Sequence, residues 1–579
     1  MDITIDSIKK EQSRMVKERE DYEKLKELSI SLSYPLRANA YDYYQAQAVG
    51  KSNSGKTIQV FDPTAFRGLD IWGNGMLGYY MPKDSSWFVE QMADKKLRDI
   101  KSIKSYLQGV DEQQRYALSR SNFYEQMPFY LKDAGAAGDA FLVIDNDDVN
   151  TDALIMNCPH PREFWIARDF WGRILRIHRE IPNMTLESMK DEFGEESLSP
   201  TQRETFKTSP NQTVKMLWVI WRNKDYKQGE MGTKNMLWQH RYVNCSGGDD
   251  GQGKIVRETG TYSLNPIPWS LNRPSHETYG RGLVSQMLIE ILTCNLVSKD
   301  VLLASQYAVR PTTLISSALK NKLKSLPGQT NFVNSKEMMG LKMGDLVARL
   351  FDSSGYPFGS DQHERWKLMV EDRFGVTLFL ALNSAEKSMT LGEARMKQAE
   401  KLILMNPLMA SLGTNTDMIF DRIFTLENEA GRMPEPPQEL LDAQNGRIDI
   451  QYVGPLTQML KQYYDTGNLL NTIYNIQQVA SIFPDSIMVV EGDELMRKIL
   501  TSGNTPEEII RDPQAVAELR AIAQEQIDQQ ARIDGLTKMG GKIIPNMGKK
   551  IESDSMLSNL KTEMQNNPEM MQQFLKEAA

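Results

Sequence analysis

At 579 residues the chain is too long for one simple core, and two to four domains are expected. Apolar residues make up 40% and charged residues 25%, the balance of an ordinary soluble, folded protein. A formal net charge of −8 argues against a general nucleic-acid binder, so any contact with DNA is expected to be local or weak. Cys158, Cys245 and Cys294 are far apart and odd in number, which gives neither a disulfide framework nor a zinc spacing and fits a reducing compartment. The longest apolar run, VTLFLAL at 376–382, is too short to span a bilayer, and the charged N-terminus carries no apolar stretch of a secretion signal.

In chain order, residues 7–30 are charged and helix-forming, and the helix should stop at Tyr34-Pro35. Residues 64–100 read as helix interrupted at Met81-Pro82, and 111–137 as helix with Phe123, Met127, Tyr130 and Leu131 on one face. From 138 to 270 the pattern changes to short β-like runs: FLVID, DALIMN, EFWIARD, ILRIHRE, KMLWVIWR and MLWQHRYV. They predict a largely antiparallel region with helices packed on it. Two long helices follow, over about 283–308 and 360–382. Leu283, Met287, Leu288, Ile291 and Leu292 form a broad apolar face on the first, extended by Val297, Val301, Leu302 and Ala304. Between the two, 309–358 holds the β runs TTLIS, TNFVN and DLVARLF and reads as a small α/β module at the tip of a helical hairpin. Thr390-Leu391-Gly392-Glu393 is a capping-box pattern that opens another long helix. Pro407 should kink that helix, and Gly431 with the prolines at 434, 436 and 437 should end it. DIQYVGP at 449–455 reads as a strand. The remainder is helical, with a Gln- and Met-rich tail after about 535.

Residues 50–57, GKSNSGKT, match the phosphate-cradling P-loop pattern, and FLVID at 141–145 resembles the strand whose Asp145 would hold magnesium. Lys56 and Thr57 would then serve an ATP-driven translocase. The context opposes it. NAYDYYQAQAV before the loop is not a continuous apolar strand, IQVFDPT after it starts no helix, and no alternating β and α units surround FLVID. DNDDVNTD lacks the glycine and glutamate of a calcium loop, having Asn150 and Met156 there. The histidines at 160, 178, 240, 276 and 363 are dispersed, with no pair at metal-ligand spacing. Nothing commits the chain to catalysis, and neither cofactor nor metal is expected.

Several stretches, in order, carry a resemblance. KLKELSISLSYPL is followed by FDPTAFRGLDIWGNGMLGYYMPKDSSWF at 61–88 and SNFYEQMPFYLKDAGAAGDAFLVID at 121–145. NPIPWSLNRPSHETYGRGLV at 265–284, MTLGEARMKQAEKLILMNPLM at 389–409, GRMPEPP, IDIQYVGPLTQMLK and DELMRKILTSGNTPEEIIRDP complete the series. Their order, over roughly 20–520, resembles the portal, or head-to-tail connector, proteins of short-tailed bacteriophages. Where that family often has Thr-Ala-Thr-Glu, this chain has Met389-Thr390-Leu391-Gly392-Glu393, which keeps the cap chemistry.

The resemblance implies an α+β portal fold: wing over 1–279, first stem helix 280–308, clip 309–358, second stem helix 359–382, tunnel loop 383–390, returning wing 391–455, and crown with tail 456–579. It implies a homo-oligomeric ring, usually a dodecamer, at one capsid vertex, with double-stranded DNA passing through its axis. Implied partners are the terminase, the tail adaptor, and the major capsid and scaffolding proteins, with no membrane. Asn383, Glu386, Lys387 and Ser388 are the DNA-channel candidates, and Lys320, Lys322 and Lys324 the clip-contact candidates. A tail-adaptor ring is the other virion reading, opposed by the length and by the hairpin-then-long-helix order.

Overall fold

The computed structural model describes residues 4–38, 60–309, 313–315, 347–349, 356–381, 391–441 and 448–454, with short breaks at 99, 148–152, 228–231 and 247–252, and a few single positions beyond. The chain divides into two units, Met1–Asn468 and Leu469–Ala579, and every element below belongs to the first. GKSNSGKT, the tunnel-loop candidates Asn383, Glu386, Lys387 and Ser388, and the clip lysines Lys320, Lys322 and Lys324 lie outside the described residues, as do the capping-box side chains and the chain after 535.

Helix α1 (Ile5–Ser33) starts where the Thr4 hydroxyl accepts the Ser7 N–H at 3.4 Å, and it stops at Tyr34-Pro35. Helix α2 (Thr64–Tyr80) stops before Pro82, as the sequence predicts. The expected helix beyond it gives way to strand β1 (Phe88–Met92), which pairs antiparallel with Ile448–Tyr452 across the length of the unit. The single helix expected over 111–137 is two, α3 (Lys101–Arg120) and α4 (Phe123–Ala137). Ser121 Oγ accepts the Phe123 N–H at 3.2 Å, and the Asn122 amide exchanges two 2.8 Å bonds with the Met156 backbone. These local side-chain bonds compete with the helix and break it there.

The region after 138 is antiparallel throughout its described pairings. Strand β2 (Asp139–Asn146) lies between β3 (Leu154–Asn157) and Ile267–Ser270. A five-stranded meander runs in chain order through β4 (Phe164–Arg168), β5 (Ile174–Thr185), β6 (Thr213–Arg222), β7 (Trp238–Asn244) and β8 (Lys254–Thr261). Helices α5 (Leu186–Phe193) and α6 (Pro200–Thr208) fill the gap between β5 and β6. Ile267–Ser270 is β9. All six β runs read from the sequence are strands. The sequence reading passed over β8, an edge strand without a buried-exposed alternation, and β9, which carries Pro268.

One turn at Leu283–Gln286 precedes α7 (Leu288–Val309), and Met287 breaks the predicted continuous helix between them. Strands β10 (Thr313–Ile315) and β11 (Val347–Arg349), both read from the sequence, pair antiparallel. The second predicted long helix is divided into α8 (Tyr356–Arg373) and α9 (Val376–Ala381) by Gly375, whose φ of +67° needs a residue without a Cβ. Helix α10 (Leu391–Glu429) continues through Pro407 and ends before Gly431, at φ +68°. Strand β12 is Ile448–Tyr452. The main core gathers Trp72, Phe123, Tyr130, Phe374 and Phe420 from α2, α4, the α8–α9 junction and α10. A second core lies on the meander, around Phe141, Phe164, Trp218 and Ile220.

Candidate functional site

Helix α7 has only three charged residues among 22, Glu290, Lys299 and Asp300, so it is apolar on nearly every side. A helix of that kind is expected to be buried all round. In the single chain it is not: only Ile291, Cys294 and Asn295 are fully buried. Of the apolar face read from the sequence, Met287 and Ile291 enter the core, and Leu283, Leu288 and Leu292 pack half-buried against it. The other sides of the helix stay open. Ile289 is 78% exposed, Leu296 60% and Val309 80%, and Leu303 and Tyr307 are exposed with them. Phe358, Leu368 and Met369 on α8 and Leu380 on α9 extend the open apolar surface along the hairpin. Scattered exposed apolar residues need no explanation, but this many on one pair of packed helices make an extended open apolar surface. Beside the hairpin, a groove of about 590 Å³ runs between α2 and α9, lined by Phe66, Asp70, Asn74, Tyr79, Phe379 and Leu380.

The hairpin leaves the β-rich body through the turn Tyr279-Gly280-Arg281-Gly282, which is locked by close backbone approach. A Cβ on Gly138, at φ +86°, would sit 2.4 Å from the Gly280 carbonyl oxygen, and one on Gly282 would sit 2.5 Å from the Gly135 oxygen. Only glycine fits at these places. Asp139 fixes the same turn, accepting the Gly280 N–H at 3.0 Å and the Ser270 hydroxyl at 2.6 Å. Its second oxygen pairs with Lys26 of α1, both side chains being buried. The Lys26 ammonium lies 4.5 Å from the centre of the Tyr279 ring. The sequence shows α1 only as charged and helix-forming, and the fold buries its Lys26 and Arg19 against the start of the hairpin.

At the other side of the hairpin's root, Asn295 Oδ1 accepts the backbone N–H groups of Phe61 at 2.6 Å and Asp62 at 3.2 Å. Asp62 Oδ1 accepts the Thr64 N–H at 2.8 Å, and Oδ2 lies 2.5 Å from His363 Nε2 on α8. Burial opposes ionisation of Asp62, but the bonds from Thr64 and His363 outweigh it and hold the carboxyl below its usual range. Cys294 completes the group. Among the described residues, Asp62, Cys294 and His363 bring three metal-competent atoms within 4.8 Å of one another.

Among the described residues weighed in the sequence, Asp145 and three of the histidines have structural partners. Asp145 accepts from Arg422 Nη2 of α10 at 2.7 Å and from the Asn265 amide at 3.1 Å. The FLVID strand is thus the centre of an antiparallel sheet tied to a helix. Burial, the first cause in each case, pushes His160, His178 and His240 down to about 3, so all three are neutral at pH 7. His160 caps a short helical turn through the Arg162 N–H, His178 contacts Gln12, and His240 meets Trp218 and Thr261. No helix of the described residues is long and apolar enough to cross a membrane.

The described residues thus form an α+β body that carries an apolar hairpin on a hydrogen-bonded root. The sequence profile of the bacteriophage head to tail connecting protein family matches residues 6–510. The chain belongs to that family, the portal or head–tail connector proteins, which are structural components of the phage virion. A search of the curated proteins found no match.

Proposed function

We propose that this chain assembles with identical copies into a closed ring, a dodecamer as the resemblance implies, at one vertex of the capsid. The exposed apolar surface of α7 and α8 carries this reading. Burying a Leu, Ile or Phe side chain is worth about 1.5–3 kcal/mol, so the surface contributes strongly only when a neighbour covers it. In a ring one face of each subunit meets a different face of the next. The open sides of α7 and α8 would be the first face, and the groove between α2 and α9, with Leu380, is a suitable second.

Double-stranded DNA would pass through the ring during packaging and ejection. The clip at 309–358 would dock the terminase and later the tail adaptor, and the wing and crown would meet the major capsid and scaffolding proteins. Lys387, with Asn383, Glu386 and Ser388 around it, is the candidate for weak contacts with sliding DNA, and Lys320, Lys322 and Lys324 for contacts at the clip. The acidic composition suits a conduit, because each neutralised phosphate adds grip through counterion release. The motor itself would be the separate terminase. Direct test is electron microscopy of negatively stained, purified protein. Rings of about twelve-fold symmetry with a central channel are expected; hexamers would count against the reading and return attention to ATP binding at Lys56.

A further inference from the structure

The root of the hairpin contains a set of donors that the sequence spacing gave no hint of. Asp62 lies just before α2, Cys294 is on α7 and His363 is on α8, so three separate elements each supply one ligand type. We propose that Asp62, Cys294 and His363 form a divalent zinc site that clamps both hairpin helices to the wing.

Chemistry selects the ion. A thiolate is a soft ligand, an imidazole intermediate and a carboxylate hard, a mixture that zinc accepts and that magnesium or calcium does not. The ionised Asp62 and Cys294 with a neutral His363 carry two negative charges, which balance Zn²⁺ and leave a neutral group in a mostly buried place. On binding, the Cys294 thiol gives up its proton to solvent and the sulfur takes the metal in its stead. Burial first, and then Asp62, push the Cys294 thiol up to about 12, so it is the arriving ion that must displace the proton.

The geometry admits the ion with a small adjustment. Ligand distances of 2.0–2.3 Å in a tetrahedron place adjacent donors about 3.3–3.8 Å apart. The three atoms already lie within 4.8 Å, and the 2.5 Å contact between Asp62 and His363 must open by about 1 Å. His363 is the partly exposed member, so its side chain has room to make that movement. Asp62 is oriented from behind, since its other oxygen is held by the Thr64 N–H at 2.8 Å. Asn295, next to Cys294, fixes the backbone at Phe61 and Asp62. Such outer bonds aim a ligand before the metal arrives. The site is complete within one chain, so it stands or falls independently of the ring.

The test uses the full-length, untagged protein, dialysed against chelator and titrated with zinc. One zinc per chain is expected to survive gel filtration. His363→Gln and Cys294→Ser should each weaken binding by at least about tenfold. Cobalt(II) in place of zinc should give the visible bands of a four-coordinate ion and a thiolate-to-cobalt charge-transfer band that Cys294→Ser removes. Zinc should also raise the first thermal transition of the wild type and leave that of His363→Gln unmoved. Absence of stoichiometric zinc in the wild type, or equal binding in His363→Gln, overturns the proposal and leaves a hydrogen-bonded knot. Should Cys294→Ser fail to fold, the wild-type cobalt spectrum decides: without thiolate charge transfer the proposal fails.

Discussion

Lys26 and Asp139 are 113 residues apart in sequence and are both almost wholly buried. The pair sits where α1, β2 and the Tyr279–Gly282 turn meet, so it joins the N-terminal helix to the start of the hairpin. Removing one member of a buried pair leaves the other charged and desolvated, at a cost of about 3–5 kcal/mol. Lys26→Ala is therefore expected to lower the denaturant midpoint substantially, whereas Lys24→Ala, two residues away and solvated, should leave it nearly unchanged. Equal effects in urea titrations would show that the buried pair has no special weight. None of this was legible in α1 itself. Its charges look alike along the sequence, and only distant partners pick out Arg19 and Lys26 from the rest. Gly138, Gly280 and Gly282 were equally silent, because their requirement comes from backbones brought together by the fold.

Elements with their own periodicity or capping were readable: α1, α2, the six β runs, the end of α10 at Gly431 and β12. Those set by remote pairing were not. Strand β1 looks helical in isolation and becomes a strand because β12 lies beside it. Its Glu90 faces the core, and burial first, then the Asp111 and Asp421 carboxylates, pushes Glu90 up to about 8. Burial likewise pushes Asp111 up to about 6. A raised carboxyl keeps its proton in the folded state at pH values where the unfolded chain has lost it. The folded state then binds more protons, so stability falls as pH rises from about 4.5, the ordinary value for Glu, to about 8. The urea midpoint of the wild type should be lower at pH 8 than at pH 5, and Glu90→Gln should flatten the difference. An unchanged pH dependence in Glu90→Gln would assign the effect to other groups, such as Asp133, which burial pushes up to about 7.

The hairpin gives a prediction of the opposite kind. Leu296 and Leu303 are exposed in the single chain, so changing both to Glu removes nothing from its core. Its monomeric stability should move by no more than about 0.5 kcal/mol per site. Two charges at the centre of an apolar interface should nevertheless abolish assembly. Light scattering after gel filtration should find monomers of unchanged circular dichroism. Rings at wild-type yield would place the interface elsewhere. The sequence held this signal in a form easy to misjudge: a run with three charges in 22 residues reads as a core helix, and only the folded chain shows which sides lack a cover.

At the scale of the whole molecule, the resemblance and the fold bear on the same choice between conduit and motor. A P-loop enzyme builds its site at the end of parallel strands, whereas every described pairing in this chain is antiparallel and Asp145 is engaged by Arg422. A conduit needs the reverse of tight binding. Each phosphate neutralised on a duplex contributes about 0.9 to the slope of log affinity against log salt, and a strong grip would stall translocation. An assembled ring is therefore expected to bind linear duplex weakly at physiological salt, with a shallow slope. If Lys387 lines the channel, symmetry repeats that one charge around the axis, and Lys387→Ala should reduce the slope while leaving the ring intact. Lys56→Ala, in the GKSNSGKT segment, should change neither the slope nor DNA packaging. Fluorescence anisotropy of a labelled duplex over a salt series compares the three proteins directly. A slope shared by wild type and Lys387→Ala would make Lys387 an ordinary solvated loop residue, and packaging lost with Lys56→Ala would bring back nucleotide chemistry that the antiparallel sheets argue against.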